Sequence, residues 1–287
     1  MQETTAIRRT DVRRRFDRAA DTFDDVDFVH TVTREALLAR LTPVTIEART
    51  IVDLGCATGT ACRLLARRFR RAHIIGVDLS HAMLQHCRRR RLWFTKASFV
   101  QADAFALPFA DASIDVVFSN LLLPWIDDVN ALAAEVSRVL RPDGLFAFSA
   151  LGPDSLLVLR RAWAAVDDTP HVNAFPDMHN VGDALVHGGL RDPVLDVDRL
   201  TVTYDEPDKL FHDLTAVGGR NALADRRRSL SVPASLQTVR DALAPREGAS
   251  NIVVELELVY GHCWGGSGPP SRGDVRIDAT RIPVRRR

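Results

Sequence analysis

Residues 51–60, IVDLGCATGT, combine an apolar run, an acidic residue and a loop of small residues. Asp53 is followed by Gly55, Ala57 and Gly59 at even spacing. A glycine-rich turn between a strand and a helix lets the backbone approach a ligand closely and leaves the free N–H groups of the helix pointing toward it. The stretch therefore predicts a binding loop for a nucleotide-like ligand, although this signal alone is weak.

The spacing of the small residues separates two classes of ligand. In the dinucleotide fingerprint G-x-G-x-x-G, the last glycine lies three positions after the second. Here an acid precedes an evenly spaced G-x-A-x-G, from Asp53 to Gly59. This order does not fit a dinucleotide such as NAD.

Ala57 stands where a third glycine would be expected, so its backbone conformation matters. At negative φ its methyl group costs almost nothing, whereas at positive φ it costs roughly 1–2 kcal/mol. We predict a negative φ, with the methyl group tolerated beside the ligand. A left-handed Ala57 would instead favour a protein that binds the ligand without catalysis.

Two further acidic residues follow apolar runs later in the chain. Asp78 ends the run IIGVD, and Asp103 follows FVQA. Each acid also has a structural interpretation: Asp53 could cap the following turn, and Asp78 could cap a helix beginning at Ser80. Asp103 taken alone is equally consistent with a structural role.

The elements that would position these residues alternate from residue 50 onward. Strand-like runs are predicted at 51–54, 73–79, 97–102, 114–120 and 144–150, and helix-like stretches at 60–70, 81–90 and 127–140. Short apolar strands separated by helices are typical of a parallel sheet covered on both faces. The fold class is therefore α/β.

The flanking segments are predicted to add helices and two more strands. Two amphipathic helices fit 11–41, with apolar or small residues at Val12, Phe16, Ala19, Phe23, Phe28, Val32, Ala36, Leu37 and Leu41. Helix-like stretches at 154–166, 178–188 and 206–217 and a strand at 194–203 interrupt the sheet rhythm, and a long strand is predicted at 251–263.

These patterns divide the chain into five parts. We expect an N-terminal helical cap segment (1–43), a ligand-binding core (44–152), a cap insertion with substrate-side elements (153–250) and a C-terminal sheet strand (251–264). The remaining tail (265–287) is rich in Gly, Pro, Ser and Arg and is predicted to be disordered.

Composition narrows the function classes. The chain has 287 residues, of which 46% are hydrophobic, and a net charge of +1, which does not favour a nucleic-acid partner. No segment has the roughly 18–20 apolar residues needed to cross a bilayer, and we expect a cytoplasmic protein without a membrane partner. The four cysteines lack metal-ligand spacing, so no metal site is predicted.

Taken together, the motifs resemble those of class I S-adenosylmethionine (SAM) methyltransferases. The resemblance rests on DLGCATG, IIGVDLSHAML, VQADAFALPFADASIDVVFSN and RVLRPDGLFAFS, in the family's order. It implies SAM as cofactor and a Rossmann-like, mostly parallel seven-stranded sheet with an antiparallel last strand and a small cap insertion. The cofactor-binding residues it implies are Asp53, Gly55, Ala57, Gly59, Asp78, Leu79, Asp103, Ala104 and Asn120. Among them, Asp78 would accept both ribose hydroxyls, and Asp103 and Ala104 would hold the adenine amino group.

Blocks outside these motifs are similar to the malonyl-acyl-carrier-protein O-methyltransferase (BioC) family of biotin synthesis. They are VRRRFDRAADTFDD, FSALGPDSLLVLRRAW, DMHNVGDALVHGGLRDPVLD, LTAVGGRNAL and VVELELVYGHCWG, and the similarity spans nearly all of 11–264. It implies methylation of the free malonyl carboxylate on an acidic acyl carrier protein. It also extends to a mitochondrial assembly-factor branch described as hydroxylating an arginine, and a SAM-binding protein without catalysis is a third possibility.

Such a methyl transfer needs no dedicated base. A malonyl-type acid with a pKa near ~4 is already ionised at neutral pH, and positioning can supply roughly 7–11 kcal/mol. An arginine suits the carboxylate. The substrate-orienting candidates are therefore Arg220 with Asn221 in GGRN, Trp125 as a channel wall, and His179 at the pocket rim.

Each candidate keeps a structural alternative. Arg220 could be a surface arginine after a helix C-cap glycine, Trp125 a core residue and His179 a structural residue of a helix start. Arginine clusters at 67–71, 88–91 and 226–228 could steer the acidic carrier, or be solvated helix faces. Phe23, Ala57 and Pro124 depart from the Tyr, Gly and Gln common in relatives.

Overall fold

The computed structural model describes residues 6–90, 96–225, 233–245 and 250–266. One sheet of seven strands has the order β3-β2-β1-β4-β5-β7-β6. The strands are β1 Thr50–Leu54, β2 His73–Asp78, β3 Ala97–Gln101, β4 Ile114–Asn120, β5 Leu140–Leu151, β6 Leu190–Tyr204 and β7 Ile252–Gly265. β7 runs antiparallel to both of its neighbours, while the pairs among β1–β5 are parallel. This confirms the predicted Rossmann-like sheet with an antiparallel last strand.

Alternation along the central strands buries both faces of the sheet. In β4, Val116 and Phe118 pack on one face and Val117 on the other. In β5, Leu145 faces one side and Phe146 the other. Strands buried on both faces must be apolar at every position, which is why the sequence shows runs rather than an apolar–polar alternation.

Nine helices lie in the described part of the chain. They are α1 Arg9–Ala19, α2 Phe28–Arg40, α3 Thr60–Arg68, α4 His81–Arg89, α5 Val129–Val139, α6 Leu157–Ala164, α7 Met178–His187, α8 Pro207–Ala216 and α9 Pro233–Leu243. α9 was not predicted from the sequence. None of the described helices is long and apolar enough to cross a membrane.

The predicted apolar face of α2 is only partly correct. Its buried residues are Thr33, Arg34 and Leu37, whereas Phe28 and Val32 are 38% and 42% exposed. Phe28 borders a cavity rather than the packed core. The predicted stripe is correct at Leu37, which packs in the core, but hydrophobicity did not indicate that Thr33 and Arg34 are also buried.

The predicted cap segment 153–250 provides one strand of the sheet as well as helices that pack on the sheet. α7 packs against α5 and β6, and β6 pairs along nearly its whole length with β7 to form the edge of the sheet. The predicted tail lies outside the described residues from position 267 onward.

A crevice opens where the strand order reverses. The chain leaves β1 toward β2 and β3, then returns to β4 on the other side of β1. In open α/β sheets, ligands bind beyond the carboxyl ends of the strands at such a switch point. In this chain α2 contacts β4 and β5, and the Asn120 amide at the end of β4 donates to the His30 carbonyl oxygen at 3.0 Å. The N-terminal helices therefore roof this crevice.

Candidate functional site

A cavity, the loop cavity, occupies the crevice. Its lining includes six predicted cofactor residues: Gly55, Ala57, Asp78, Leu79, Ala104 and Asn120. The structure therefore brings most of the predicted set together, from four different strand ends.

The small-residue loop follows β1 and leads into α3. Gly55 has φ +78° and Gly59 has φ +81°, a region that favours glycine. A Cβ atom at Gly59 would also lie 2.9 Å from the Cys87 Sγ. Both glycines are thus required by the turn that directs the N-terminus of α3 toward the crevice.

The prediction of a negative φ at Ala57 is wrong, because its φ is +45°. The reason lies in its hydrogen bond: the Ala57 N–H donates to the Asp78 Oδ2 at 2.9 Å, which requires the amide to turn toward β2. The methyl group packs against a cluster that includes Phe23 and Met83. That apolar contact offsets part of the conformational cost.

Asp78 ends β2 at the wall of the loop cavity. Its Oδ2 accepts the Ala57 N–H, and its Oδ1 accepts the Ser80 N–H at 2.8 Å. Burial raises the pKa of this carboxyl to about 6, although the two backbone hydrogen bonds act in the opposite direction. Each oxygen keeps a further lone pair for a ligand. Capping of α4 is carried by the Ser80 side chain, which accepts from the Met83 N–H.

Asp53 lies beneath the loop and is 1% exposed. Its Oδ2 accepts a hydrogen bond from the Cys62 Sγ at 3.0 Å, and burial raises its pKa to about 6. The Cys56 Sγ lies 3.9 Å from the Cys87 Sγ. Three thiols therefore pack under the loop, and Asp53 borders a smaller adjoining cavity rather than the loop cavity.

Asp103 follows β3, and its side chain is held on both oxygens. Oδ1 accepts the Phe105 N–H at 3.1 Å, and Oδ2 pairs with the Arg9 guanidinium at 2.8 Å. The same guanidinium lies 4.4 Å above the centre of the Phe105 ring. Arg9 therefore closes one end of the loop cavity, a role that the sequence did not indicate.

A second cavity, the apolar cavity, adjoins the first. Its lining includes Phe28, Pro124, Leu156, Phe175 and Leu256. Three residues line both cavities: His30, Leu121 and Trp125. The predicted position of Trp125 at a channel wall agrees with this placement, and its ring meets the Phe16 ring edge-on at 5.1 Å.

The other substrate-side candidates do not line either cavity. Arg220 is exposed, and only its neighbour Gly219 reaches the apolar cavity. The Asn221 amide donates to the Pro170 carbonyl oxygen and its side-chain oxygen accepts the Leu223 N–H, so Asn221 shapes a loop. His179 is exposed in the first turn of α7, which packs on α5 and β6 away from the crevice.

His30, Leu121 and Arg9 were missed by the sequence analysis. Leu121 has φ +57° directly after β4, and nothing in its residue type announces that conformation. His30 offered a weak signal, because it lies four residues before Arg34 on α2. Residues at this spacing share one face of a helix, so the two polar side chains belong to the same face.

Comparison with known proteins extends these observations to the whole chain. Residues 52–148 match a family model described as a methyltransferase domain. The chain is 42% identical to a malonyl-[acyl-carrier protein] O-methyltransferase of Halorhodospira halophila, over 99% of both chains. It is 38% identical to an enzyme of the same name from Laribacter hongkongensis, over 95% of this chain and 94% of the other.

Two solved structures agree in fold. The YcgJ protein of Bacillus subtilis gives a TM-score of 0.58 at 17% identity, covering 82% of this chain and 99% of the other. Phosphoethanolamine N-methyltransferase 2 of Haemonchus contortus, solved with S-adenosyl-L-methionine, gives 0.51 at 16% identity, covering 87% and 57%. At these identities the likeness concerns the fold alone.

Proposed function

Because this chain belongs to the malonyl-[acyl-carrier protein] O-methyltransferase family, we propose that it methylates the free carboxylate of a malonyl thioester carried on acyl carrier protein. The methyl donor is SAM. The observation that carries this proposal is the junction of two cavities at His30, Leu121 and Trp125, one lined by the glycine loop and the other apolar.

The loop cavity fits SAM by its donor set and its backbone. Gly55 and Gly59 keep side chains off the loop, and Asp78 presents a carboxylate whose free lone pairs suit the ribose hydroxyls. Ala104 and Asn120 complete the lining on the side of β3 and β4. Asp103 would reach the adenine amino group from its position beside Arg9. Asp53 would contribute to SAM binding from its buried position beneath the loop.

The reaction requires little acid–base catalysis from the protein. When bound, SAM supplies an electrophilic methyl group: a carboxylate lone pair forms the new O–C bond, and the electron pair of the breaking C–S bond stays on sulfur. The substrate carboxylate is already ionised at neutral pH. Residues at the junction must therefore align an oxygen with the methyl carbon and exclude water.

The apolar cavity suits the acyl end of a carrier-bound thioester. Its aliphatic and aromatic lining would exclude water from the thioester, while the carboxylate reaches the junction. The product would be a methyl ester with its charge removed, in the early part of biotin synthesis. The substrate-orienting role of Arg220 requires a movement toward the cavity, whereas Trp125 already borders the junction.

Incubation of the purified protein with SAM and malonyl-acyl carrier protein tests the proposal directly. We expect a mass gain of one methyl group on the carrier and one equivalent of S-adenosylhomocysteine. Malonyl-coenzyme A and succinyl-acyl carrier protein serve as comparison substrates. Rescue of a biotin auxotroph that lacks this step provides the cellular test, and failure of both with SAM bound would refute the proposed reaction.

A SAM-binding protein without catalysis is the second candidate, and the left-handed Ala57 is the observation that favours it. It predicts SAM binding without turnover and no rescue of the auxotroph. The related arginine hydroxylase predicts instead an oxidised protein substrate. Mass spectrometry of the reaction products separates these outcomes, since methylation and hydroxylation add different masses.

A further inference from the structure

His30 occupies the junction of the loop cavity and the apolar cavity. It lies in the first turn of α2, and its backbone carbonyl is anchored by the Asn120 side chain at 3.0 Å. The ring packs against Phe23 with 4.9 Å between the ring centres. His30 is half-buried by these contacts and lines both cavities.

The two ring nitrogens have different surroundings. Nδ1 is buried and has no hydrogen-bond partner within the described part of the chain. A buried polar atom without a partner costs stability, and native proteins rarely keep one without a reason. A neutral imidazole carries a single proton, which is better placed on Nε2, since that nitrogen is not enclosed.

The charge state of His30 agrees with this arrangement. Burial lowers its pKa to about 4, while Asp27 opposes the shift and Arg34 adds to it. A second proton on Nδ1 would place a charged N–H in an enclosed site without an acceptor. His30 is therefore neutral at physiological pH and offers one N–H toward the cavities.

We propose that His30 binds the substrate, its Nε2–H donating a hydrogen bond to the carboxylate that receives the methyl group. Only two of the three residues shared by the cavities carry a ring N–H, His30 and Trp125. Together they would hold a carboxylate from two sides. This assignment rests on the proposed function, because it presumes a carboxylate substrate.

A neutral donor suits this reaction better than a cation. The carboxylate loses its negative charge as the ester forms, so a cation would stabilise the ground state more than the transition state. A neutral N–H orients the oxygen and weakens its nucleophilicity less. The exposed Arg220 is then not needed at the reacting atoms.

The test compares full-length wild type with His30→Leu, His30→Phe and His30→Gln. His30→Leu and His30→Phe remove the donor, whereas His30→Gln restores an N–H near the position of Nε2. His73→Leu is the matched control, since His73 bonds to Ser98 at the opposite end of the strands. For each protein we would measure kcat and KM for malonyl-acyl carrier protein, the Kd of S-adenosylhomocysteine and the Tm.

We expect His30→Leu and His30→Phe to lower kcat/KM by at least thirtyfold, mainly through kcat, with the Kd changed by less than threefold. The Tm should stay the same or rise, because an unpartnered polar atom is removed. His30→Gln should recover activity to within fivefold of wild type. A structural role would instead lower the Tm and spare kcat.

Three results would overturn the assignment. They are activity within threefold of wild type in both His30→Leu and His30→Phe, a parallel loss of S-adenosylhomocysteine affinity in these variants, and activity of His30→Gln no higher than that of His30→Leu. Absence of turnover in the wild type with any carboxyl thioester refutes the proposed function itself. Wild-type turnover with equally active variants refutes only the role of His30.

Discussion

At the scale of single residues, Asp78 connects the backbone of the loop to its ligand chemistry. It receives the Ala57 and Ser80 amides while facing the loop cavity. The same carboxylate therefore holds the loop in its turn and is presented to a bound molecule. Residue type and position predicted that this acid ends a strand beside the loop, but not its bond to Ala57, since a sequence carries no sign of which backbone amide turns toward it.

Substitution Asp78→Ala should weaken SAM binding by more than tenfold, because the ribose hydroxyls lose their acceptor and the loop loses an anchor. Calorimetric titration with S-adenosylhomocysteine measures the effect. Asp115→Ala is a matched control, since Asp115 also accepts two backbone N–H groups, from Arg49 and Thr50, at the other end of the strands. Unchanged affinity in Asp78→Ala would reduce this residue to a structural role.

The same site predicts a pH dependence of binding. The pKa of Asp78 is raised to about 6 by burial, so the carboxylate is ionised above pH 6 and protonated below it. Affinity for S-adenosylhomocysteine should therefore fall as the pH drops from 7 to 5. Asp78→Asn should bind more weakly at pH 7 and lose most of this slope. If the affinity of Asp78→Asn still falls as the pH drops, the pH dependence belongs to Asp53, whose pKa is also raised to about 6.

Ala57→Gly should change the free energy of unfolding by less than about 1 kcal/mol. The substitution relieves a left-handed alanine, worth roughly 1–2 kcal/mol, but loses a methyl contact of about 0.8 kcal/mol and adds about 0.4–1 kcal/mol of unfolded-state entropy. Urea unfolding measures the sum. A change of 2 kcal/mol or more in either direction would contradict this balance. Near-neutrality would mean that Ala57 does not impair the loop.

At the scale of elements, the strands were the most predictable part of the structure. The five predicted strands of the core overlap β1 to β5 because buried parallel strands are short apolar runs between turns. The buried face of α2 was only partly predicted, since Leu37 is buried as expected but Thr33 and Arg34 also turn inward. Periodicity records which residues are apolar, and not which surface a helix meets.

Helix α1 forms one wall of the loop cavity through Arg9, Val12 and Phe16, yet Val12 and Ala19 are its only residues classed as buried. It is held against α4, where the Asp17 Oδ1 accepts a hydrogen bond from the Ser80 hydroxyl at 2.7 Å. Binding of S-adenosylhomocysteine should slow amide hydrogen exchange in 13–19 by more than tenfold. Helix α5, on the other face of the sheet, is the internal control. Unchanged exchange in α1 with ligand bound would show that α1 is not part of the binding wall.

At the scale of the whole molecule, the distribution of arginine bears on the carrier protein. The cluster at 67–71 spans the C-terminal end of α3, at the end of the sheet opposite the crevice. Within it, the Arg68 guanidinium donates hydrogen bonds to the carbonyl oxygens of Leu38 and Leu41. Arg91 and the cluster at 226–228 lie outside the described residues. In contrast, Arg13, Arg14 and Arg18 are exposed on α1 beside the loop cavity.

We expect the double substitution Arg14→Glu and Arg18→Glu to raise the KM for malonyl-acyl carrier protein by about tenfold, because an acidic carrier would meet like charge. The KM for SAM should not change. Arg67→Glu with Arg70→Glu places the same charge change at the far end and should have little effect. The difference between the two pairs should shrink at high salt, and equal effects of both pairs would rule out docking at α1.

The cysteines under the loop have a practical consequence. All four thiols of the chain are buried, and hydrogen bonding with Cys62 and Cys87, together with burial, raises the pKa of the Cys56 thiol well above its usual value. The thiols of the folded protein should therefore not react with alkylating reagents until the polypeptide around the cysteines opens. Three of the four lie beneath the binding loop, so the rate of their alkylation measures how often that loop opens. The protein carries its own reporter of ligand occupancy, without any introduced label.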